Sequence, residues 1–333
     1  MDLLKDIRRP VAGDLERYEA LFRHSLEHEN DLLGRILAHV AARRGKMMRP
    51  LLVLLVSRAF SGAEASEGTL RSAVALELLH TASLIHDDVV DQSALRRGQQ
   101  SVNSVYGNQL AVLSGDFLLS LALLETARTA DLRVVEIIAR LGGTLASGEV
   151  RQTENVERPE TTEADYFAVI RSKTAALFEA CARLGALGAG AGAADVERAA
   201  RLGELVGLCF QIRDDIFDFY ADGGQGDADG KLGKPTGADM AEGKLTLPVI
   251  HALGAAPSAE MSALAARVKQ REATAEEIAR LVDFAKQSGG IAYARSVMSR
   301  LAAEACALAG KMGASDVAQA LTNYVNFVVG RDF

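Results

Sequence analysis

Two short acidic runs have the composition and spacing of a site for a hard divalent cation. Residues 87–91 read D-D-V-V-D and residues 214–218 read D-D-I-F-D, so both follow the pattern D-D-x-x-D. On a helix, residues four apart share a face, which places the first and last aspartate of each run side by side. Their neighbours in sequence are apolar. In apolar surroundings, carboxylates lose hydration and repel one another unless a cation is present. Oxygen ligands suit Mg²⁺, which binds through carboxylates and substrate phosphates. The candidate metal ligands are Asp87, Asp88, Asp91, Asp214, Asp215 and Asp218.

Basic residues that can neutralise metal-bound phosphates lie close to these runs in the sequence. Such phosphates require counter-charges and hydrogen-bond donors. The candidates are Lys46, Arg49, Arg96, Arg97, Lys173, Lys234 and Lys244, together with the polar side chains of Thr174 and Gln211. Gly45 allows a close approach of the backbone. His80, on the segment of the first run, is open to two interpretations, a diphosphate contact or a hydrogen-bonded packing residue.

Other chemistries fit the sequence less well. Glu77 and His80 have the Glu-x-x-His spacing of a di-iron bundle, but that motif must occur on two helices and no second copy accompanies it. The cysteines, Cys181, Cys209 and Cys306, are widely spaced and form neither a disulfide framework nor a zinc site, which favours a cytoplasmic protein. The net charge of −7 argues against general nucleic-acid binding. Two solvated acidic helix faces remain the plain alternative to a metal site.

The elements that must position these residues are helices. The chain has only 6 prolines among 333 residues, and its long proline-free stretches favour helix. Aromatic residues make up 5%, and apolar residues recur every three or four positions rather than alternating. We predict an all-α protein of roughly a dozen helices and, since no shift in composition divides the chain, a single domain over residues 1–333. No apolar run approaches the roughly 20 residues of a membrane span, and no signal peptide is recognised at the N-terminus. Connections are predicted near residues 61–67, 156–163, 221–235 and 254–258.

Taken together, the motifs resemble those of the trans-type polyprenyl diphosphate synthases, also called (E)-isoprenyl diphosphate synthases, and especially long-chain members such as the octaprenyl diphosphate synthases. The matching segments follow the order of that family and cover about residues 40 to 250. They include G-K-M-M-R-P at 45–50, H-T-A-S-L-I-H-D-D-V-V-D at 80–91, L-R-R-G at 95–98, G-E-V-R-Q at 148–152, S-K-T-A at 172–175, F-Q-I-R-D-D-I-F-D at 210–218 and G-K-P-T-G-A-D at 233–239.

This resemblance implies a helical bundle around a deep central cavity, a homodimer, and two aspartate runs that face each other and hold Mg²⁺ on an allylic diphosphate. The implied enzyme is a trans-prenyltransferase that joins isopentenyl diphosphate head to tail to the allylic substrate. The allylic C–O bond ionises, the double bond of isopentenyl diphosphate attacks the cation, and a proton is lost. By motif match, Asp87, Asp88, Asp214, Lys173, Thr174 and Gln211 serve catalysis; Arg96, Lys173, Gln211 and Lys234 meet the allylic substrate; and Lys46, Arg49, His80 and Arg97 hold isopentenyl diphosphate.

The resemblance also bears on product length. The tail is expected to run along the helix of the first run, past Leu76, Leu79, Ala82 and Ser83. Members with short products place a bulky aromatic residue at the fourth or fifth position before the first aspartate, where this chain has small residues. We therefore expect a product of about thirty to fifty carbons, as in quinone side chains, whose release involves a transient meeting with a membrane surface. The alternatives are a synthase of C15–C20 products, a class I terpene cyclase and a regulatory subunit without activity.

Two features depart from the family's usual pattern. Arg213 stands directly before the second run, where an apolar or small polar residue is expected. The stretch from Asp222 to Leu232 is longer than in many relatives, and we regard the segment Ala221–Gly233 as a candidate lid. Neither departure removes an aspartate of the two runs.

Overall fold

The computed structural model describes residues 3–42, 45–96, 98–158, 160–220 and 236–330. These residues form seventeen α-helices and one two-stranded antiparallel hairpin, so the all-α prediction is confirmed, with more helices than the dozen expected. The helices are α1 Leu3–Arg8, α2 Ala12–Ser25, α3 Asp31–Ala41, α4 Met48–Ser61, α5 Glu67–Val90, α6 Val102–Tyr106, α7 Asn108–Ala127, α8 Leu132–Glu157, α9 Glu163–Ile170, α10 Ala176–Gly188, α11 Ala193–Phe217, α12 Ala238–Ala241, α13 Leu247–Ala255, α14 Ala259–Lys269, α15 Ala275–Gln287, α16 Gly290–Ala309 and α17 Ser315–Val329. A 3₁₀ turn, Arg9–Val11, joins α1 to α2, a π-helical turn, Arg171–Ala175, joins α9 to α10, and the hairpin pairs β1 Leu95–Arg96 with β2 Gln99–Gln100.

The chain is grouped into two compact units, each assembled from separate stretches of sequence. Unit 1 comprises Met1–Gly142, Leu177–Gly203 and Cys306–Tyr324. Unit 2 comprises Gly143–Ala176, Glu204–Ala305 and Val325–Phe333. A single domain over residues 1–333 stays a prediction.

The core of unit 1 is built on α4 and α5. All residues from Leu51 to Val56 of α4 are fully buried, which explains that apolar run in the sequence. Helix α5 begins at the N-cap Ser66, whose side chain accepts a hydrogen bond from the backbone of Thr69, and packs most extensively against α7. A side chain at Gly115 of α7 would overlap the ring of His86. The two helices therefore approach closely at the end of α5 that bears the first aspartate run.

In unit 2, the connection between α8 and α9 is fixed by a buried lysine. Helix α9 starts with a capping box between Thr162 and Asp165. Lys269 of α14 is 5% exposed and donates to the carbonyl oxygen of Arg158 and, at 2.8 Å, to Oγ1 of Thr161. A cation at the C-terminal end of α8 also meets the negative end of its dipole. This contact joins elements that line the pocket described below.

The predicted connections lie close to those observed. The helices around the first, second and fourth are linked by residues 62–66, 158–162 and 256–258, each beginning or ending one or two residues inside the predicted range. The segment 221–235, with the candidate lid, lies outside the described residues. Among the described helices, α7 is long and apolar enough to cross a membrane by length and composition, with 39% of its most apolar window buried in the fold. That is weak evidence, since many core helices pass the same test.

Candidate active site

The first aspartate run lies at the C-terminal end of α5. Asp87 and Asp88 belong to the last turn and Asp91 is the C-cap, whose backbone N–H donates to the carbonyl oxygen of Asp87 at 2.8 Å. Helical geometry thus extends over the run, and Asp87 and Asp91 share a face, as predicted. The last turn contains no basic residue. Carboxylates at the negative end of a helix dipole destabilise the helix, and a bound cation would reverse the sign of that interaction.

The second run ends α11 in the same way. The backbone N–H of Asp218 donates to the carbonyl oxygen of Asp214 at 3.2 Å, and the last turn again contains no basic residue. The carboxylate of Asp218 accepts hydrogen bonds from the backbone N–H groups of Ala238 (3.1 Å) and Asp239 (3.2 Å). The run is therefore tied to the start of α12.

The middle aspartate of each run is turned into the protein. Asp88 is 1% exposed and pairs with Arg96, whose Nη2 lies 2.6 Å from Asp88 Oδ1. Asp215 is 3% exposed and accepts hydrogen bonds from Tyr166 and Gln211. In the described parts of the chain, no group of three or more His, Cys, Asp or Glu residues converges on a point where a metal could bind. The metal role of the six aspartates stays a prediction, with the outer residues of each run the more accessible.

A pocket of about 170 Å³ in unit 2 brings several predicted residues together. This is more than ten times the roughly 10–15 Å³ that a cavity needs to hold one water molecule, so a polar group of a ligand can enter. The predicted residues that line it are Lys173, Thr174, Gln211, Asp215 and Lys244. Residues that the sequence did not single out also line it, among them Asn155, Thr161, Tyr166, Asp239, Thr246 and Lys269. Lys244 Nζ lies 2.5 Å from a carboxylate oxygen of Glu242, so its charge is partly neutralised in this state.

Lys173 and Thr174 are presented by the π-helical turn. Lys173 Nζ lies 2.7 Å from a carboxylate oxygen of Glu149 and 2.9 Å from the amide oxygen of Gln152, both on α8. Thr174 Oγ1 donates to Gln211 Oε1 at 2.7 Å. π-Turns are rare and occur frequently at functional sites. The turn thus sends two adjacent side chains to different partners, one on α8 and one on α11.

Gly148 on α8 makes this arrangement sterically feasible. A Cβ atom at Gly148 would lie 2.8 Å from Cβ of Ser172 and 3.2 Å from Cγ of Lys173. We expect Gly148→Ala to lower kcat about tenfold. The added methyl group would force the π-turn to move, and the movement would misplace Lys173 and Thr174 relative to the reacting groups. Steady-state kinetics test this, with Gly143→Ala as the control, since a Cβ at Gly143 meets nothing within 4 Å. Full activity in Gly148→Ala would show that the π-turn tolerates displacement.

Burial governs the ionisation of the pair Tyr166 and Asp215. Burial, followed by the charge of Asp215, raises the pKa of Tyr166 well above its usual value, so the phenol stays protonated and donates. Burial, with the charges of Asp239 and Asp214, raises the pKa of Asp215 to about 8, while the hydrogen bonds from Tyr166 and Gln211 lower it. Removing either donor would therefore leave the carboxyl group still harder to ionise.

Unit 1 contains a second pocket, of about 80 Å³, next to the first run. The predicted residues that line it are Gly45, His80, Asp88 and Arg96, and residues not predicted include Tyr18, Phe22, Glu77 and Thr81. Arg49 lies outside this lining, with its guanidinium carbon 5.2 Å from the ring centroid of Phe178. Lys46 is half-buried, and its carbonyl oxygen accepts from Arg8 at 2.9 Å. Arg97 and Lys234 lie outside the described residues.

Three of the four predicted chain-length residues on α5 are buried. Leu76, Leu79 and Ala82 are 1%, 6% and 0% exposed. Ser83 is half-buried, and its hydroxyl donates to the carbonyl oxygen of His80 at 2.9 Å. Ser83 is therefore the member of this set nearest to solvent-accessible space.

Sequence reasoning missed residues that carry no motif of their own. Tyr166 lies seven residues before Lys173, two helical turns, and that spacing could have drawn attention to it. Glu149 and Gln152 belong to the G-E-V-R-Q motif at 148–152, from which the sequence predicts no role for either side chain. Lys269 is distant in sequence from every predicted residue, and no local pattern marks it.

Comparison with known proteins identifies the family. Residues 30–285 match the model of the family described as polyprenyl synthetase. The chain belongs to the polyprenyl synthetase family. It is 33% identical to an octaprenyl diphosphate synthase from Haemophilus influenzae over 99% of this chain and 98% of that one. Among solved structures, a geranylgeranyl pyrophosphate synthase from Bacteroides thetaiotaomicron is 40% identical, with a TM-score of 0.85 over 99% of this chain and 100% of that one. A polyprenyl synthase from Caulobacter crescentus, complexed with calcium and isoprenyl diphosphate, is 31% identical, with a TM-score of 0.88 over 98% of both chains.

Family membership confirms three predictions made from the motifs. The resemblance to the trans-type polyprenyl diphosphate synthases is confirmed, and so are the isoprenoid synthase type of fold and the prenyltransferase class. The relatives support a long-chain synthase of polyprenyl diphosphates. The roles of single residues are not tested by these comparisons and stay predictions.

Proposed function

We propose that this member of the polyprenyl synthetase family condenses isopentenyl diphosphate with an allylic diphosphate, in a Mg²⁺-dependent reaction, to a trans-polyprenyl diphosphate of about thirty to fifty carbons. The observation that carries the proposal is the unit 2 pocket. It gathers Lys173, Thr174, Gln211 and Lys244 beside an aspartate run. Ammonium groups can bind a diphosphate, and neutral oxygen dipoles can stabilise a cation without capturing it.

The residues divide the chemistry between them. Lys173 is held by Glu149 and Gln152 at the pocket, where it can meet the leaving diphosphate. The hydroxyl of Thr174 and the amide of Gln211 present oxygen atoms to the developing allylic cation. Arg96 stays close to the first run through Asp88. No nucleophilic side chain is required, since the double bond of isopentenyl diphosphate attacks the cation.

The donor set at each of the two helix ends fits a magnesium ion. All candidate ligands are carboxylates, which a hard cation prefers, and each run lies at the negative end of a helix dipole with no basic residue in the last turn. Asp87 and Asp91, and likewise Asp214 and Asp218, are the residues that would hold Mg²⁺. When bound, Mg²⁺ supplies stabilisation of negative charge on the departing diphosphate. The calcium in the Caulobacter structure supports a divalent ion in this family.

The decisive experiment is an incubation of the purified protein with Mg²⁺, farnesyl diphosphate and labelled isopentenyl diphosphate, followed by chromatography of the dephosphorylated products. The expected result is a ladder that ends at one length of about thirty carbons or more and that is abolished by EDTA. Products that stop at fifteen or twenty carbons would make this protein a short-chain synthase. The relative that is 40% identical is named a geranylgeranyl pyrophosphate synthase. Cyclic hydrocarbon from the primer alone would indicate a terpene cyclase, and complete inactivity would point to a missing partner subunit.

We further propose a homodimer in the cytoplasm. Helix α7 exposes Leu113, Leu123 and Leu124, which are 55%, 58% and 45% exposed, and Leu132 nearby is 84% exposed. A second copy of the chain would remove this apolar surface from water. Analytical ultracentrifugation of the wild-type protein should give twice the mass of one chain, and that of Leu123→Glu should give the mass of a single chain. A monomeric wild-type protein would contradict the dimer. Cys181 and Cys209, both buried, are not part of a disulfide bond, which suits a reducing compartment.

A further inference from the structure

Four side chains in unit 2 form a continuous hydrogen-bonded chain, of which the reaction described above uses only two. Thr174 Oγ1 donates to Gln211 Oε1 at 2.7 Å, and Gln211 Nε2 donates to Asp215 Oδ1 at 2.8 Å. From the other side, the hydroxyl of Tyr166 donates to Asp215 Oδ2 at 2.5 Å. All four residues line the same pocket. In the ionised form of Asp215, which accepts at both oxygens, every donated proton therefore points along the chain toward that residue.

This direction fixes the orientation of the Gln211 amide. An amide can rotate by half a turn and exchange its oxygen for its nitrogen, and its neighbours decide between the two orientations. Here the nitrogen faces Asp215 and the oxygen accepts from Thr174. Since the hydroxyl proton of Thr174 is used on Gln211, the oxygen atoms of both residues are what remains for the pocket. Their partial negative charge has the sign that stabilises a cation.

Asp215 and Tyr166 are placed to hold this orientation rather than to meet a ligand. Asp215 is 3% exposed, and each of its oxygens accepts a hydrogen bond from the protein. Tyr166 is 5% exposed, and its ring is fixed in α9, where it packs edge to face against Phe167 at 5.4 Å. A buried carboxyl group that loses a donor recruits another. Without the phenol, Asp215 Oδ2 loses its donor, and the carboxyl group can shift together with the Gln211 amide that donates to Oδ1.

We propose that Tyr166 and Asp215 are positioning residues, which hold the Gln211 amide with its oxygen on the Thr174 side so that the pocket selects positive charge at the reacting carbon. The inference deepens the proposed function and rests on it, because the selected charge is that of the allylic cation. It also gives Asp215 a role other than metal ligand. Neither residue needs to touch the reacting atoms.

The test compares the binding of two probes by calorimetry in the presence of Mg²⁺. One is an allylic diphosphate analogue with a tertiary ammonium group at the reacting carbon, and the other is its uncharged carbon isostere. The wild-type protein should bind the ammonium probe more tightly. Tyr166→Phe should reduce that preference about tenfold and leave the affinity for the neutral probe nearly unchanged. Tenfold is the lower end of the range for losing a hydrogen-bond partner that orients a ligand-binding side chain. In turnover, kcat should fall while KM stays constant, and more allylic alcohol should form by capture of water.

Tyr293→Phe is the matched control. It removes a hydroxyl that donates to Glu163 at 2.9 Å, also in unit 2, and should keep the full preference. An unchanged preference in Tyr166→Phe would overturn the inference, and so would equal weakening of both probes, which indicates a merely structural role. If Tyr166→Phe does not fold, Asp215→Asn is the second test. The asparagine amide has nearly the same shape as the carboxylate, but its nitrogen can donate to Gln211 Oε1 and so allows the Gln211 amide to turn over. An unchanged preference for the ammonium probe in this variant would overturn the inference. If the proposed function itself fails, the wild-type protein neither condenses the substrates nor prefers the ammonium probe.

Discussion

Asp214→Asn is expected to lower kcat for condensation by at least about 10²-fold, the range for loss of one electrostatic contact in the transition state. The substitution removes a charge at the C-terminal end of α11, where the candidate metal site lies. Because a carboxylate there opposes the helix dipole, the substitution relieves an unfavourable interaction of about 0.3–1 kcal/mol. Steady-state kinetics and thermal unfolding together give the signature, which is activity lost while stability is kept or increased.

Asp283→Asn is the matched control for this prediction. Asp283 is an exposed aspartate near the C-terminal end of α15, so the substitution makes the same chemical change at a similar place on a helix outside the site. It should leave kcat unchanged. Retention of more than about a tenth of the activity in Asp214→Asn would contradict an essential role for this carboxylate. A fall in stability of both variants would instead indicate that these aspartates are structural.

Ser83→Phe is expected to shorten the main product to fifteen or twenty carbons, from about thirty or more. Ser83 lies one turn before Asp87, about 6 Å along α5, on the same face. The aromatic ring would fill the path of the growing tail at the level of the first units added. From Glu67 to Asp87 the helix is about 30 Å long, enough for a tail of several isoprene units. Chromatography of the dephosphorylated products measures the change.

Ser83→Ala is the control, since it removes the hydroxyl without filling space and should leave product length unchanged. The half-buried Ser83 is the better site for this test than Ala82, which is fully buried. Ala82→Phe should also shorten the product, but overpacking at a buried site costs about 1–3 kcal/mol and would confuse the result. A folded, active Ser83→Phe variant with an unchanged product would refute the assignment of the tail to this face.

The sequence predicted the elements better than the contacts between them. Helices followed from proline-free stretches with three-to-four periodicity, and the shared face of Asp87 and Asp91 followed from helix geometry alone. The pairing of Thr174 with Gln211 joins segments distant in sequence, yet both residues were predicted because each stands in a motif. Periodicity indicates which face of a helix is apolar, and it does not indicate which polar residues on that face meet.

Three features could not be read from the sequence for physical reasons. Asp88 and Asp215 were grouped with the outer aspartates because composition does not distinguish a buried carboxylate from an accessible one, and burial depends on partners such as Arg96 and Tyr166. Lys269 reaches the end of α8 across the fold, and a lone lysine carries no local signal. The π-turn has no composition of its own, since it depends on the packing of Lys173 over Gly148.

That π-turn shifts the register of the helix that contains it. The backbone N–H of Ala176 donates to the carbonyl oxygen of Arg171, five residues earlier, so the turn holds one residue more than an α-helical turn. Thr174, eight residues after Tyr166, therefore occupies the angular place that the seventh would have in an uninterrupted helix. The direction of the active-site side chains after the turn thus depends on one additional residue within Arg171–Ala175. If the same residues formed an ordinary α-helical turn, every side chain beyond it would point about a hundred degrees away from its present partners, whereas deleting one residue from the turn would give a regular helix in which those directions are kept.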